Sequence, residues 1–285
     1  MAEGLLDPRT IRQLADEIGL RPTKQRGQNF VHDANTVRRI VAAGGVTADD
    51  VVLEIGPGLG SLTLGLLEVG AQVVAIELES ALAQRLPRTV AERLPQAAGR
   101  FRVIEADALD VDVLDDPQPT RVVANLPYNV SVPVLLHVLA RFDSLSAGLV
   151  MVQAEVADRL VAPPGSRTYG VPSAKLAWYA SARRVGSVPP TVFWPVPNVD
   201  SGLVELIRRD PPATSVGRED VFAVIDAAFS QRRKMLRSAL ATRFGSSTAA
   251  GDVLEAAGVD PQARGEVLGI AEFARIAEAA TQRLR

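Results

Sequence analysis

A short polar run, Asn125-Leu-Pro-Tyr-Asn129, carries the residues of this sequence that are best suited to chemistry. The amide oxygen of Asn125 and the backbone carbonyl of Leu126 can both accept hydrogen bonds from the amino group of an aromatic base. Tyr128 offers a face on which a base can stack, and Pro127 stiffens the neighbouring carbonyls. An exocyclic amine is a poor nucleophile, so a site for its methylation needs positioning more than a general base. The alternative interpretation is a proline-containing turn without function.

A glycine-rich motif, Glu54-Ile-Gly-Pro-Gly-Leu-Gly60, lies between an apolar segment and a helix-like one. Glycines let the backbone approach a ligand closely, and the start of a helix offers free N–H groups. The spacing is GxGxG, whereas the pyrophosphate-binding motif of dinucleotide sites is GxGxxG. S-adenosylmethionine has no pyrophosphate, so a loop for a ribose and an amino-acid tail suits it better. A tight structural turn is the alternative.

Two carboxylates are predicted at neighbouring strand ends. Glu77 closes the run that begins at Val73, where it can accept hydrogen bonds from both hydroxyls of a ribose. Glu79 competes for this role but follows the strand, so we expect it to face solvent. Asp107 ends the next strand and can accept from a cofactor's adenine amino group, or simply cap a helix. A nicotinamide dinucleotide site would also have an acidic residue near position 77, so Glu77 does not distinguish S-adenosylmethionine from a nicotinamide cofactor.

The elements that must position these residues alternate along the chain. Apolar, strand-like segments occur at 51–55, 73–77, 102–105, 121–124, 149–152 and 202–207, and helix-like segments at 61–69, 81–93 and 132–141. Such alternation predicts a seven-stranded, mostly parallel sheet with helices on both faces. Residues 210–217 resemble a linker, and the periodicity beyond them is helical only. We therefore predict a methyltransferase domain at 1–210, with an N-terminal helical extension, and a helical RNA-contacting domain at 218–285.

Composition fits a globular protein, with 47% hydrophobic and 22% charged residues. The chain has no cysteine, so disulfides and cysteine metal sites are excluded, and no residue arrangement suggests another metal site. Glu3 and Asp7 interrupt any signal-like apolar stretch, and the apolar run 130–140 is too short to cross a bilayer. We expect a cytoplasmic, monomeric protein without a membrane partner.

The net charge of −2 conceals an uneven distribution. Residues 44–116 are rich in acids, whereas residues 231–244 hold five cations and no acid. A single helix through this basic run would bury Ile225, Ala228 and Leu236 and place its cations on the flank and back. Such a cluster suits an RNA backbone, and a solvated charged face is the alternative. The candidate RNA-binding residues are Arg232, Arg233, Lys234 and Arg237. Arg232 falls inside the apolar stripe, so it should either pair with a carboxylate at the domain junction or reach the RNA cleft.

These motifs, in this order, resemble the family of 16S ribosomal RNA adenine N6-dimethyltransferases, the kasugamycin-sensitivity enzymes. The resemblance runs from about Lys24 to Phe273. It is carried by Gly27-Gln-Asn-Phe30, Leu53-Glu-Ile-Gly-Pro-Gly-Leu-Gly60, Ala124-Asn-Leu-Pro-Tyr-Asn129, Val152-Gln-Ala-Glu-Val156, Tyr169-Gly170, Phe193-Trp-Pro-Val-Pro-Asn-Val-Asp-Ser201 and Ala228-Phe-Ser-Gln-Arg-Arg-Lys-Met-Leu-Arg237. Val31 departs from the Leu usual in the family, Glu79 from Asp and Ser238 from Asn, and none of these positions touches the predicted chemistry.

The resemblance implies a Rossmann-like, S-adenosylmethionine-dependent methyltransferase sheet with a small C-terminal all-helical domain. It implies dimethylation of two adjacent adenosines near the 3′ end of 16S rRNA, within a precursor of the small ribosomal subunit. The residues that it places in the cofactor site are Asn29, Val31, Gly56, Glu77, Asp107 and Asn125. It also makes Phe193 a wall of the target-base pocket opposite Tyr128, while the alternative for Phe193 is a core residue.

Three other functions are weighed against this one. A related family dimethylates one adenosine of large-subunit RNA and confers macrolide resistance, but residues 231–234 and the run from Arg264 look like the small-subunit family. A ribosome assembly factor with secondary catalysis is a second alternative. A nicotinamide-dependent dehydrogenase is a distant third, because nothing in the sequence serves hydride transfer to a carbonyl.

Overall fold

The computed structural model describes residues 4–22 and 28–283, so Lys24 and Gly27 of the predicted motifs lie outside the described residues. The strands are β1 (Phe30–Val31), β2 (Val51–Ile55), β3 (Gln72–Glu77), β4 (Phe101–Glu105), β5 (Arg121–Asn125), β6 (Ala147–Gln153), β7 (Ala180–Val188), β8 (Phe193–Trp194) and β9 (Ser201–Arg208). The helices are α1 (Pro8–Glu17), α2 (Ala34–Ala43), α3 (Ser61–Glu68), α4 (Ser80–Arg93), α5 (Ser131–Arg141), α6 (Ala154–Leu160), α7 (Val171–Leu176), α8 (Arg218–Ser230), α9 (Leu236–Ala239), α10 (Ala241–Phe244), α11 (Ser247–Ala256) and α12 (Ile270–Arg283).

A seven-stranded sheet in the order β4-β3-β2-β5-β6-β9-β7 forms the centre of the fold. The five strands from β4 to β6 are parallel, and β9 runs antiparallel to β6. The predicted fold class is confirmed. The edge strand β7 was not predicted, because its Arg183, Arg184 and Gly186 give no apolar alternation and several of its side chains are exposed.

The strands β2 and β3 are almost wholly buried and apolar, as expected for the centre of a parallel sheet covered on both faces. Before them, Asp33 caps α2 as predicted, accepting a hydrogen bond of 2.7 Å from the backbone N–H of Thr36. The helix ends at Ala43, and Gly44 follows it as the C-cap. α3 packs closely on α2 at Gly65, where an added Cβ would lie 2.4 Å from Val37. These contacts fix the position at which α3 begins, beside the end of β2.

The chain divides into two compact units. The first comprises residues 1–157 and 183–208, and the second comprises residues 158–182 and 209–285. Residues 158–182, which include α7, therefore group with the C-terminal helices, whereas the predicted domain boundary lay after residue 210. The functional division into a methyltransferase domain and an RNA-contacting domain stays a prediction. Within the described residues, no helix has the length and apolar character needed to cross a membrane.

The single basic helix predicted through residues 225–240 is wrong. α8 ends at Ser230, residues 231–234 form a turn, and Met235 is extended and 42% exposed before α9 begins. Tertiary hydrogen bonds hold this break: the N–H of Leu236 donates to the carbonyl of Ala263 at 2.8 Å, and that of Arg237 donates to Pro261 at 3.1 Å. Helical periodicity cannot reveal it, because the partners are distant in sequence and neither Gly nor Pro marks the break.

Candidate active site

A cavity of about 520 Å³ lies at the carboxyl ends of the parallel strands in the first unit. This is the position at which open α/β sheets bind ligands. All six residues predicted for the cofactor line the cavity: Asn29, Val31, Gly56, Glu77, Asp107 and Asn125. Glu79, Pro127 and Asn129 line it too. The structure therefore brings together segments that are almost 100 residues apart.

The glycine loop between β2 and α3 forms one wall of the cavity. Gly56, Gly58 and Gly60 have φ angles of +66°, +59° and +97°. Residues other than glycine rarely adopt this backbone conformation. At Gly58, an added Cβ would also meet the ring of Phe30 at 2.6 Å. At Gly56 it would extend to 3.7 Å from Pro127 and fill space beside the cavity. The glycines thus allow the loop backbone to lie directly against the cavity, and their contact with a ligand stays a prediction.

Glu77 ties this loop to the end of β3. Its two carboxylate oxygens accept hydrogen bonds from the backbone N–H groups of Gly58 at 3.0 Å and Glu79 at 2.9 Å. Burial raises the pKa of Glu77, and these bonds oppose that rise. Glu79 is half-buried and lines the same cavity, so it does not simply face solvent. Each carboxylate oxygen can accept a second bond, so Glu77 can still accept from a ribose.

Asp107 caps a turn and not the helix that was weighed as an alternative for it, and its contact with an adenine stays a prediction. Its Oδ1 accepts from the backbone N–H of Leu109 at 2.9 Å, which caps the turn after β4. The residue also lines the cavity, and no hydrogen bond to its Oδ2 is found in the described part of the chain. Asp107 therefore keeps an acceptor for an adenine amino group.

Asn125 ends β5, and its amide is oriented by the segment before β1. The Nδ2 group donates to the backbone carbonyl of Asn29 at 3.1 Å. Because that bond uses the donor side of the amide, Oδ1 remains the acceptor side, which is the atom that the predicted chemistry requires. The pairing of β1 with β8, Phe30 with Trp194 and Val31 with Phe193, anchors the segment that supplies the carbonyl.

The remaining predicted catalytic residues divide between the cavity and the core. Pro127 lines the cavity, while Leu126 is buried and its N–H donates to Met151. The hydroxyl of half-buried Tyr128 lies 2.9 Å from the Oγ of Ser201, and burial raises the pKa of Tyr128. Phe193 is only 1% exposed, belongs to the core and does not line the cavity. Its predicted role opposite Tyr128 stays a prediction.

Sequence reasoning assigned no role to Glu54, which also lines the cavity. It is 1% exposed and accepts a hydrogen bond of 2.7 Å from the hydroxyl of Thr63. Burial raises its pKa to about 8, and the negative charge of Glu77 adds to the rise. An acid within the otherwise apolar run 51–55 was the available signal.

The basic residues of the second unit differ in their surroundings. Arg232 pairs with Glu266 at 3.0 Å and donates to the carbonyl of Arg167, so it has a carboxylate partner as one alternative predicted, although that partner lies within the same unit. Arg233, Lys234 and Arg237 are exposed, and no ion pair to them is found in the described residues. These three form an exposed basic cluster, called the basic turn below: Arg233 and Lys234 lie in the turn, and Arg237 lies in the first turn of α9. The ion pair of Arg232 with Glu266 holds one side of this cluster.

A family model described as "Ribosomal RNA adenine dimethylase" matches residues 20–282. The chain belongs to this family. Its relatives include the "Ribosomal RNA small subunit methyltransferase A" of Cutibacterium acnes, 66% identical over 98% of this chain and 95% of its own length. The protein of the same name from Kineococcus radiotolerans is 65% identical over 96% of this chain and 91% of its own. The predicted family is thus confirmed.

Two solved structures share the fold. A dimethyladenosine transferase from Plasmodium falciparum has a TM-score of 0.72 and 23% identity, covering 87% of this chain and 95% of that one. The 23S rRNA methyltransferase ErmE has a TM-score of 0.62 and 24% identity, covering 89% and 100%.

As a member of this family, the protein is an S-adenosylmethionine-dependent rRNA adenine dimethyltransferase. The nicotinamide cofactor, which Glu77 alone could not exclude, is thereby excluded. The residues that line the cavity also fit S-adenosylmethionine, independently of family membership. Two strand-end carboxylates suit a ribose and an adenine, and the glycine cradle leaves room that a Cβ at Gly56 would fill. The cofactor supplies an electrophilic methyl group on a sulfonium, and the protein supplies its position.

Proposed function

We propose that the enzyme transfers methyl groups to the N6 atoms of two adjacent adenosines near the 3′ end of 16S rRNA, giving N6,N6-dimethyladenosine. The observation that carries this proposal is the hydrogen bond from Asn125 Nδ2 to the carbonyl of Asn29, which engages the donor side of an amide that lines the cofactor cavity and leaves its oxygen available as an acceptor. The assignment of small-subunit RNA as the substrate is supported by the names of relatives that are 60–66% identical.

Catalysis in this proposal rests on positioning. Asn125 Oδ1 and the carbonyl of Leu126 accept from the two amino hydrogens of the target adenine, so that its nitrogen points at the methyl group. Pro127 limits movement of these acceptors, and Tyr128 stacks on the base, with Phe193 behind it. Oriented hydrogen bonds of this kind act on the reacting group without reorganising during the reaction.

Cofactor binding falls to the residues of the cavity. Glu77 accepts from the ribose hydroxyls and Asp107 accepts from the adenine amino group. The backbones of Asn29, Val31 and Gly56 enclose the remaining surface of the cofactor.

RNA binding in this proposal uses the basic turn, Arg233, Lys234 and Arg237, which can neutralise backbone phosphates, with Arg232 supporting it. The partner is a precursor of the small ribosomal subunit, whose assembly in the cytoplasm the enzyme assists as a monomer.

The test is mass mapping of ribosomal RNA from cells that lack the protein, restored with either wild type or Asn125→Ala. We expect loss of a dimethyladenosine pair from small-subunit RNA, returned by wild type only. Loss from large-subunit RNA would instead support the macrolide-resistance type of enzyme. Normal subunit assembly in cells that lack the protein would leave catalysis as the main function, whereas assembly that fails without the protein and is restored by Asn125→Ala would favour an assembly factor.

A further inference from the structure

The aromatic ring of Tyr128 lies on a turn and is tied to the sheet at its far end. The turn runs from the end of β5 at Asn125 to the start of α5 at Ser131. A ring on a turn can rotate about two side-chain bonds, so the turn alone does not fix the surface that the ring presents. The hydroxyl of Tyr128 lies 2.9 Å from the Oγ of Ser201, and this hydrogen bond sets the direction of the ring.

Ser201 is held firmly by the sheet. It is the first residue of β9, is fully buried at 0% exposure, and pairs with Gln153 at the end of β6. The next residue, Gly202, has no room for a side chain, because an added Cβ would lie 2.5 Å from Ala157 in α6. Close packing of this kind leaves the start of β9 little freedom to shift. Ser201 thus offers Tyr128 a fixed anchor.

The two hydroxyls satisfy each other. Within the described residues, the hydroxyl of Tyr128 is the only hydrogen-bond partner found for the side chain of Ser201. A hydroxyl buried without a partner is unfavourable, whereas replacing both partners by apolar groups of the same shape changes stability little. An alanine and a phenylalanine would therefore fold about as well at these two positions. What the hydroxyl pair adds is a defined orientation of the ring.

The two methyl transfers to one adenosine place different demands on this ring. In each transfer, which uses a new molecule of cofactor, the N6 lone pair forms the N–C bond, the S–C bond breaks with its electrons going to sulfur, and N6 releases one proton to water. Before the first transfer, N6 has two hydrogens, one for Asn125 Oδ1 and one for the carbonyl of Leu126. Before the second transfer only one hydrogen remains, so one of these two positioning bonds is gone, whereas stacking on the ring is unchanged.

We propose, on the basis of the function proposed above, that Ser201 is a positioning residue: it holds the Tyr128 ring in one orientation, and this rigid surface serves the second methyl transfer to an adenosine more than the first. The reason is that stacking must keep in place a base that has lost one of its two positioning hydrogen bonds. Loss of the contact should therefore lead to release of N6-methyladenosine, the product of one transfer.

The test measures the two transfers separately. Wild type and Ser201→Ala are compared by mass analysis of nucleosides from small-subunit RNA that starts with either adenosine or N6-methyladenosine at the target positions. We expect the second transfer to slow by about three- to tenfold, the usual effect of losing one neutral hydrogen bond, and the first by less than about twofold. Ser146→Ala is the matched control, because it removes a hydroxyl bonded to the carbonyl of Thr120 at the opposite end of β6, and it should alter neither rate.

Two further variants separate positioning from folding. Tyr128→Phe breaks the same bond from the other side and should show the same selective loss, and the double variant should be no slower than either single variant. The double variant also leaves neither hydroxyl unpaired, so we expect it to melt at about the wild-type temperature while still releasing N6-methyladenosine. Cofactor affinity, measured by calorimetry, should not change, because neither residue lines the cofactor cavity.

Equal slowing of both transfers by Ser201→Ala would overturn the proposal, as would additive effects of the two substitutions or a wild-type product ratio in the double variant. A wild-type enzyme that forms no dimethyladenosine in small-subunit RNA would contradict the proposed function itself. Normal dimethylation by wild type, with an unchanged product ratio in Ser201→Ala, would contradict only the role of Ser201.

Discussion

The Nδ2 atom of Asn125 lies 3.1 Å from the backbone carbonyl of Asn29, so an element far away in sequence decides which way the amide points. A free asparagine side chain can present either its oxygen or its nitrogen to a ligand. Here the donor is engaged by the segment before β1, and that segment is held by pairing with β8. The cofactor cavity and the amide that should receive the target base are therefore organised by the same short stretch.

The carboxylate of Glu77 should matter more to cofactor affinity than that of Glu79. Glu77→Gln replaces one acceptor oxygen by a donor that faces the N–H of Gly58 or Glu79, and we expect affinity for S-adenosylmethionine to fall by about ten- to a hundredfold. Calorimetry measures this, with Glu79→Gln as the matched control. A larger loss in the Glu79 variant would move the ribose contact to that residue.

Stability should depend on pH through Glu54. Its pKa is raised to about 8 in the folded protein, against an ordinary value of 4.5 for a glutamate, so the folded state holds a proton that the unfolded chain loses. The stabilising contribution is therefore complete below about pH 4.5 and is lost as the pH rises toward 8.

Glu54→Gln mimics the protonated form and keeps an acceptor for Thr63. We expect the unfolding free energy of the variant, relative to that of wild type, to increase steadily between pH 5 and about pH 8. Denaturant unfolding at a series of pH values is the measurement. Parallel profiles for the two proteins would mean that Glu54 is already ionised in the folded state. Part of the wild-type slope should remain in the variant, because burial also raises the pKa of Glu77.

The sequence predicts those features of the structure that depend on contacts between neighbouring residues, and it misses those that depend on contacts between residues far apart in the chain. The positions of Glu77 and Asp107 follow from local patterns, since Glu77 ends an apolar run that forms β3 and Asp107 comes two residues after the end of β4. The break after α8 depends on the loop around Ala263, and the orientation of Asn125 depends on Asn29, so neither leaves a local signal. Glu54 was assigned no role, although its place in the apolar run 51–55 indicated burial, because its hydrogen bond with Thr63 is visible only in the folded structure.

The basic turn of the second unit should bind RNA through charge. Replacing Arg233, Lys234 and Arg237 by Gln should reduce the slope of log affinity against log salt by up to about 2.7, from roughly 0.9 per phosphate contact. Cofactor affinity should not change, because none of the three lines the cofactor cavity.

A matched control replaces Arg218, Arg275 and Arg283 by Gln, which removes the same charge from cations that already have acidic partners. Its salt slope should stay closer to that of wild type. Identical slopes for wild type and the basic-turn variant would make the turn a solvated face. The RNA surface would then have to be sought around Arg21, Lys24 and Arg26, the last two of which lie outside the described residues.

The most direct test of the account is the single-turnover rate of methyl transfer by Asn125 variants, with cofactor and small-subunit RNA both saturating. Asn125→Ala removes the oriented acceptor and should slow transfer by about a hundred- to a thousandfold, the usual effect of losing one such bond, while RNA binding is retained. Asn125→Asp keeps acceptor oxygens but cannot donate to the carbonyl of Asn29, so it should be slow as well. A near-normal rate for Asn125→Ala would contradict the positioning mechanism, and a near-normal rate for Asn125→Asp would show that the contact with Asn29 does not set the geometry of the site.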